Sequence, residues 1–232
     1  MNIFPGDLRQ VVVFQNATDE DLKLILQNCI PRSIEEGEFF FLQGDPAEYL
    51  YVLTNGQIKL IQSNPGGQQV NLRTIYPWQM FGALGAVRAH ARYPASAQAL
   101  ENSSSLAIAS GFLHSMLETR PYLSFDLMTL MTSYIQEIQV RYRELATERV
   151  EQRVANALIR LAGQSGKKSE NEAGIALAFS RQDVAEMTGT TLYTVSRLFS
   201  EWERQGIIET GREQVRIVKP HELVKISDGT GK

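Results

Sequence analysis

Between Ser33 and Ala109 the chain alternates in short apolar runs cut by turn residues. The runs cover residues 38–42, 49–53, 57–62, 70–75, 96–100 and 105–109. The breaks are Gly44-Asp45-Pro46, Asn55-Gly56, Asn64-Pro65-Gly66-Gly67 and Tyr76-Pro77-Trp78. Strands at such regular spacing predict an antiparallel β-roll, jelly-roll-like in form. Ahead of it, from Met1 to about Pro31, the pattern is helical. Thr18-Asp19-Glu20-Asp21 supplies a cap and an acidic first turn before the apolar residues that follow.

Helical periodicity resumes near Ser110. After Pro121, apolar residues fall at Leu123, Leu127, Leu130, Tyr134, Ile138, Tyr142 (or Arg141) and Leu145. Spacings of three and four make one stripe over roughly six turns. Such a stripe packs either on its own β-roll or on a second copy of the same helix. Gln136, Glu137, Gln139 and Arg143 give the other sides a polar character. That suits a two-stranded coiled coil, with Leu127, Leu130, Tyr134, Ile138 and Leu145 in the seam. Helix is predicted again over 150–163, and 164–174 is a polar loop.

The stretch 181–200, RQDVAEMTGTTLYTVSRLFS, reads as a helix-turn-helix. Ala185 stands where two helices approach closely, and Gly189 where the chain turns between them. Val184, Val195 and Leu198 supply the apolar faces. Thr191, Tyr193, Thr194, Ser196 and Arg197 lie between them and can reach base edges or phosphates, as a reader of duplex DNA requires. Gly206 ends the second helix. Residues 208–218 then read as two short strands around a turn. A helix-turn-helix followed by a hairpin is a winged helix.

The predicted class is therefore α+β. A β-roll sensor domain occupies 1–120, a long dimerisation helix 121–147, and a winged helix-turn-helix 148–232. With 232 residues and 43% hydrophobic content the chain is long enough for two modest cores. The net charge of -3 advertises no basic field, and 180–216 carries five arginines against six carboxylates. Phosphate neutralisation dominates affinity for DNA, so the placement of those arginines matters more than their sum. Cys29 is the single cysteine, which excludes an intrachain disulfide and a four-cysteine iron–sulfur cluster. There is neither an apolar run of membrane-spanning length nor a leader-like N-terminus, so a soluble cytoplasmic protein with no membrane partner is expected.

Three stretches together resemble the CRP/FNR superfamily of bacterial transcription regulators, over almost the whole chain. FFLQGDPA at 40–47, continuing through LYVLTNGQIKL at 50–60, is similar to the family's first β-roll strands. FGALG at 81–85 is similar to its phosphate-binding cassette, and 181–198 to its DNA-binding motif. The resemblance implies a homodimer that binds double-stranded DNA at a pseudo-palindromic operator and contacts RNA polymerase.

Family members that bind cyclic AMP use glycine amides, a glutamate and an Arg-Ser pair in the cassette. They also use a Thr-Ser pair on the long helix. Counted without gaps from Gly82, those positions hold Ala83, Tyr93, Pro94, Ile138 and Gln139. A guanidinium is the fitting partner for a cyclic phosphate, and Tyr93 cannot replace it. Cyclic AMP is therefore not the expected effector, and the effector pocket, formed by Gly82, Ala83, Leu84, Tyr93, Ile138 and Gln139, is expected to take another small molecule or none. Arg88, His90 and Arg92 offer an alternative anion site in the same segment, or a solvated loop. Trp78 stands where the family usually has glycine before the cassette. Haem, used by some members to sense carbon monoxide or nitric oxide, is the alternative cofactor, with His90 and Cys29 as candidate ligands by type.

In the reading helix, Arg197 matches the family's arginine and is expected to pair with a guanine in the major groove. Ser196 matches the Ser-Arg form of the FNR branch. Tyr193 replaces the glutamate that accepts from cytosine, so the half-site should depart from the usual TGA core there. Arg181, Thr191 and Thr194 are expected at phosphates, which position rather than specify. A cupin-like metalloenzyme would need several histidines converging on one site. His90, His114 and His221 are far apart in sequence, and no nucleophile–base pair is evident. No enzymatic activity or metal site is expected.

Overall fold

The computed structural model describes residues 3–67, 69–83, 88, 90–165, 174–211 and 214–230. They form two compact units, 1–137 and 138–232.

The first unit opens with two short 3₁₀ turns (Pro5–Gln10, Val12–Phe14) and helix α1, Asp19–Gln27. Thr18 caps α1 by accepting a hydrogen bond from the Asp21 amide at 3.1 Å, as the sequence predicts. Eight strands follow: β1 Cys29–Ile34, β2 Phe39–Phe41, β3 Tyr49–Asn55, β4 Ile58–Ser63, β5 Gln69–Ile75, β6 Met80–Phe81, β7 Ser96–Ala99 and β8 Ser103–Ala109. They build two four-stranded antiparallel sheets, ordered β1-β8-β3-β6 and β2-β7-β4-β5. This is the expected β-roll with two strands more than the pattern gave. β1 begins at Cys29, inside the segment expected to be helical. It is an edge strand, so Pro31 costs no ladder bond that a central strand would need. β6 has only two residues, too few for periodicity to register.

Strand β3 explains why its run reads as almost continuously apolar. Tyr51 and Leu53 point between the sheets, with Phe41, Ile58, Ile75, Phe81, Tyr93, Ala97, Ala99 and Ala107. Leu50 and Val52 point the other way, into a second core with Leu8, Phe14, Leu22, Leu106, Ile108 and Leu113. Both faces of the strand are buried, so alternation in polarity disappears.

Helix α2, Ser110–Thr119, leads into α3, Pro121–Thr147, with proline at a position where its missing N–H costs nothing. The expected single stripe on α3 proves to be two. Leu123 and Leu127 are buried in the second core, and Leu130 packs against it. Tyr134 lies beneath the Arg73 guanidinium. Leu127, Leu130 and Tyr134 are thus directed to the protein's own β-roll, not to a seam. The exposed apolar residues of α3 are Phe125, Met128, Ile135, Ile138, Val140, Tyr142 and Leu145. The two parts of the stripe succeed one another along the helix: Ile138 falls about 20° from the line of Leu127 and yet is exposed, which is why they merge in the sequence. The division of α3 between the two units also differs from the separate 121–147 segment expected.

Where α1 meets the start of α3, Asp21 accepts hydrogen bonds from Thr18, Arg120 and Tyr122. Burial alone would raise its pKa, but the bonds from Tyr122, Arg120 and Thr18 more than offset that and hold it below the usual carboxylate range. A depressed folded-state pKa contributes stability above the unfolded value, and that stability is lost as pH falls through the folded one. Asp21→Asn should therefore cost about 2 kcal/mol near neutrality and soften the acid limb of the stability curve. Urea midpoints at pH 7 and pH 3 measure this, and equal midpoints for both proteins at pH 7 would refute the role.

The second unit continues through α4, Val150–Ser165. Beyond the loop come β9 Ile175–Leu177, α5 Arg181–Thr188, α6 Leu192–Arg204, β10 Ile208–Gly211, β11 Gln214–Ile217 and α7 Pro220–Ser227. The hairpin has the expected strands, but β9 adds a third, in the order β10-β11-β9. A three-residue strand beside a polar loop leaves little trace in a sequence. Within this second unit, Glu144 of α3 is buried and accepts from Arg160 of α4 at 2.6 Å, tying the end of the long helix to α4.

Candidate functional site

The winged helix is assembled by local signals. Ser180 and Asp183 form a reciprocal capping box at the start of α5, at 3.1 Å in each direction. Gly189 ends α5 in the left-handed conformation, φ +60°, which glycine adopts without strain. A Cβ on Gly189 would lie 3.2 Å from Leu145 Cδ2. Leu145, expected in the dimer seam, is half-exposed and also touches this turn.

Thr191 caps α6 by accepting from the Thr194 amide at 3.2 Å, and the two hydroxyls lie 2.9 Å apart. Both threonines were expected at phosphates, but here their hydroxyls also fix the helix start. Val195, Phe199 and Trp202 bury one face of α6 completely. Its other face presents Tyr193, 77% exposed, and Arg197, exposed, with Ser196 half-buried between them. The predicted base readers are thus brought together on one outward face of a capped, anchored helix.

Arg181 is held otherwise. Its Nη2 donates to Thr210 Oγ1 at 2.8 Å. The Thr210 hydroxyl and amide in turn donate to Glu203 Oε1 at 2.6 and 2.8 Å. This chain fixes the wing against α5 and α6. A groove of about 520 Å³ runs between them, lined by Ser180, Arg181, Gln182, Leu192, Thr210 and Gln214 among others. Thr210 and Gln214 carry no motif of their own. Only the pairing of β10 with β11 brings them together beside α5.

In the β-roll, Tyr93 is buried in the interior. The Tyr93 ring stacks on Phe41 with centroids 3.6 Å apart. Its hydroxyl donates to the Tyr49 carbonyl at 2.6 Å. Burial pushes that phenol well above its ordinary pKa, so Tyr93 stays neutral. Gly82 has φ +76°, and a Cβ there would come within 3.2 Å of Phe41, Tyr93 and the Tyr49 carbonyl. Ala83 packs against the second core. Leu84 lies outside the described residues. Ile138 and Gln139 are exposed on α3.

Arg88, His90 and Arg92 are all exposed, and Arg92 donates to the Gly44 carbonyl at 2.7 Å. His90 and Trp78 both have positive φ, 56° and 67°. Trp78 packs against the second core. Cys29 donates to the Ile25 carbonyl at 3.1 Å, and burial raises its pKa to about 12. With that pKa it is a protonated thiol near neutrality. Among the described residues no three His, Cys, Asp or Glu side chains cluster as a metal site. No described helix is long and apolar enough to cross a membrane.

A β-roll followed by a long helix and a winged helix-turn-helix defines a DNA-binding regulator of the sensor-and-reader class. Residues 31–120 match the cyclic nucleotide-binding domain family, and residues 152–226 match the Crp-like helix-turn-helix domain family. The chain belongs to the CRP/FNR family of transcription regulators.

Among its relatives is the transcriptional activator protein anr of Pseudomonas aeruginosa, 29% identical over 85% of this chain and 80% of that protein. Another is the cyclic AMP receptor protein of Thermus thermophilus, 26% identical over 94% of this chain and 97% of the relative. The fold matches that of the c-di-GMP responsive global regulator CLP of Xanthomonas campestris, with a TM-score of 0.75 at 17% identity. That match covers 86% of this chain and 99% of the other.

Proposed function

We propose that two copies of this chain pair through the exposed face of α3 and read a pseudo-palindromic operator in the cytoplasm. They would contact RNA polymerase when bound and respond to an effector other than cyclic AMP. The outward face of α6 carries this reading: Tyr193, Ser196 and Arg197 project from a helix whose opposite face is locked by Val195, Phe199 and Trp202. Arg197 would donate to the O6 and N7 acceptors of guanine. Tyr193, with a neutral hydroxyl in place of a carboxylate, would not favour the cytosine that a glutamate reads.

The effector reading rests on Tyr93. A relative named as a cyclic AMP receptor raises the possibility of that ligand here. Yet the position of the phosphate partner is taken by an uncharged ring packed on Phe41. Desolvating a cyclic phosphate there without a cation would cost far more than a neutral contact returns. The haem alternative draws no comparable support, since Cys29 is a bonded thiol and His90 is exposed.

Selection of binding sites from random duplexes tests the reader. The wild type should yield an inverted repeat whose half-site departs from TGA at one pair, with cyclic AMP making no difference. Tyr193→Glu should restore preference for the usual family core. Identical selected sites for the two proteins would overturn the role of Tyr193, and a sequence preference gained only with cyclic AMP would overturn the effector reading.

A further inference from the structure

A single hydroxyl on the wing orients the arginine expected at the DNA backbone. Arg181 is the first residue of α5. A cation there meets the positive end of the helix dipole, and a long side chain gives up rotamer freedom when it is ordered. Arg181 is nonetheless fixed, its Nη2 donating to Thr210 Oγ1 at 2.8 Å. A guanidinium only donates and a carboxylate only accepts, so the one proton of the Thr210 hydroxyl points at Glu203 Oε1, 2.6 Å away. The oxygen's lone pairs are thereby left for Arg181. The Thr210 amide donates to the same Oε1 at 2.8 Å, which holds the strand that carries the hydroxyl. Glu203 stands on α6. The reading helix thus sets the wing, and the wing sets the arginine.

The bond to Thr210 takes one of the five N–H donors of the guanidinium. Arg181 lines the groove between α5 and the wing, beside Ser180, Gln182 and Gln214, with Leu192 from the start of α6. Leu192 precedes Tyr193, so a duplex laid along the outward face of α6 carries its sugar–phosphate backbone past this groove. Thr210 is a neutral partner, and a phosphate can join it at the guanidinium without displacing it. A guanidinium ordered in advance loses little further freedom on meeting that phosphate, and its donors form charge-assisted bonds there.

We propose that Thr210 and Glu203 are positioning residues that hold Arg181 in the posture in which it grips the DNA backbone. The proposal rests on the operator-binding reading and adds the groups that set how firmly the backbone is held. Base choice stays with Tyr193, Ser196 and Arg197. The relay acts on all sequences alike, because a phosphate carries no sequence information.

Anisotropy titrations of the full-length protein on a selected operator and on an unrelated duplex, over a range of sodium chloride concentrations, test this. Arg181→Gln should weaken binding and make the plot of log affinity against log salt shallower by about 2, one phosphate in each half-site. Thr210→Val keeps a β-branched strand residue and the amide bond to Glu203 but removes the hydroxyl. It should weaken binding to both duplexes about tenfold and reproduce most of the change in slope. Thr210→Ser should restore affinity and slope together. In the Arg181→Gln background, Thr210→Val should have no further effect. An equal loss in both backgrounds would make Thr210 a purely structural residue and overturn the proposal. Unchanged affinity and slope in Thr210→Val, or in Arg181→Gln, would overturn it too. If Thr210→Val does not fold, Glu203→Met in the two backgrounds decides by the same cycle. Any of these failures in a wild type that still selects its operator removes the relay alone, whereas a wild type without sequence preference removes the regulator reading.

Discussion

Ile138→Glu is expected to turn a tight operator-binding dimer into a monomer with little specific affinity. Ile138 is 65% exposed on the unit that holds it. Its neighbours at heptad spacing are Met128, Ile135, Tyr142 and Leu145, each at least half-exposed and apolar. Such a face on a 27-residue helix suits the seam of a two-stranded coil. A glutamate there would place two carboxylates opposite each other across the two-fold axis, each stripped of water. The penalty of several kcal/mol is large against the stability of a coil of this length. Sedimentation of wild type and variant at micromolar concentration measures the first effect, and fluorescence anisotropy with a selected operator the second. A variant that remains dimeric, with unchanged operator affinity, would show that the copies do not meet through this face.

Arg197→Ala is expected to cost about 1–3 kcal/mol of operator affinity per half-site, with specificity relaxed at one base pair. Arg197 is exposed, and the buried face of α6 does not include it. The folded state should therefore tolerate alanine, and unfolding midpoints should stay within a fraction of a kcal/mol. Anisotropy titrations against the operator and against variants at each position of the half-site give the pattern. A loss equal across all sequences, with a shallower salt dependence, would instead make Arg197 a phosphate contact.

The reader was legible because its signals are local. Ser180, Gly189 and Thr191 act through hydrogen bonds and backbone conformation within three or four residues, and a sequence displays such relations directly. The β-roll was legible as a class for the same reason, through its turn residues. What stayed hidden depended on long-range partners. Strand β1 is defined only by β8, more than seventy residues away, and the groove at Arg181 only by Thr210. Leu127 and Ile138 fall on nearly the same line of α3, so no count of apolar positions could say that one is buried and the other exposed.

Leu145 against Gly189 bears on how such a regulator changes over generations. At the turn between α5 and α6, Gly189 has a positive φ that strains any side chain, and a Cβ there would crowd Leu145 Cδ2 at 3.2 Å. Substitution at that corner is disfavoured, which protects the posture of the reading helix. Tyr193, Ser196 and Arg197 stand on the opposite, open side, where substitution leaves the scaffold untouched. A lineage can therefore rewrite which operators it recognises while keeping the way it grips them.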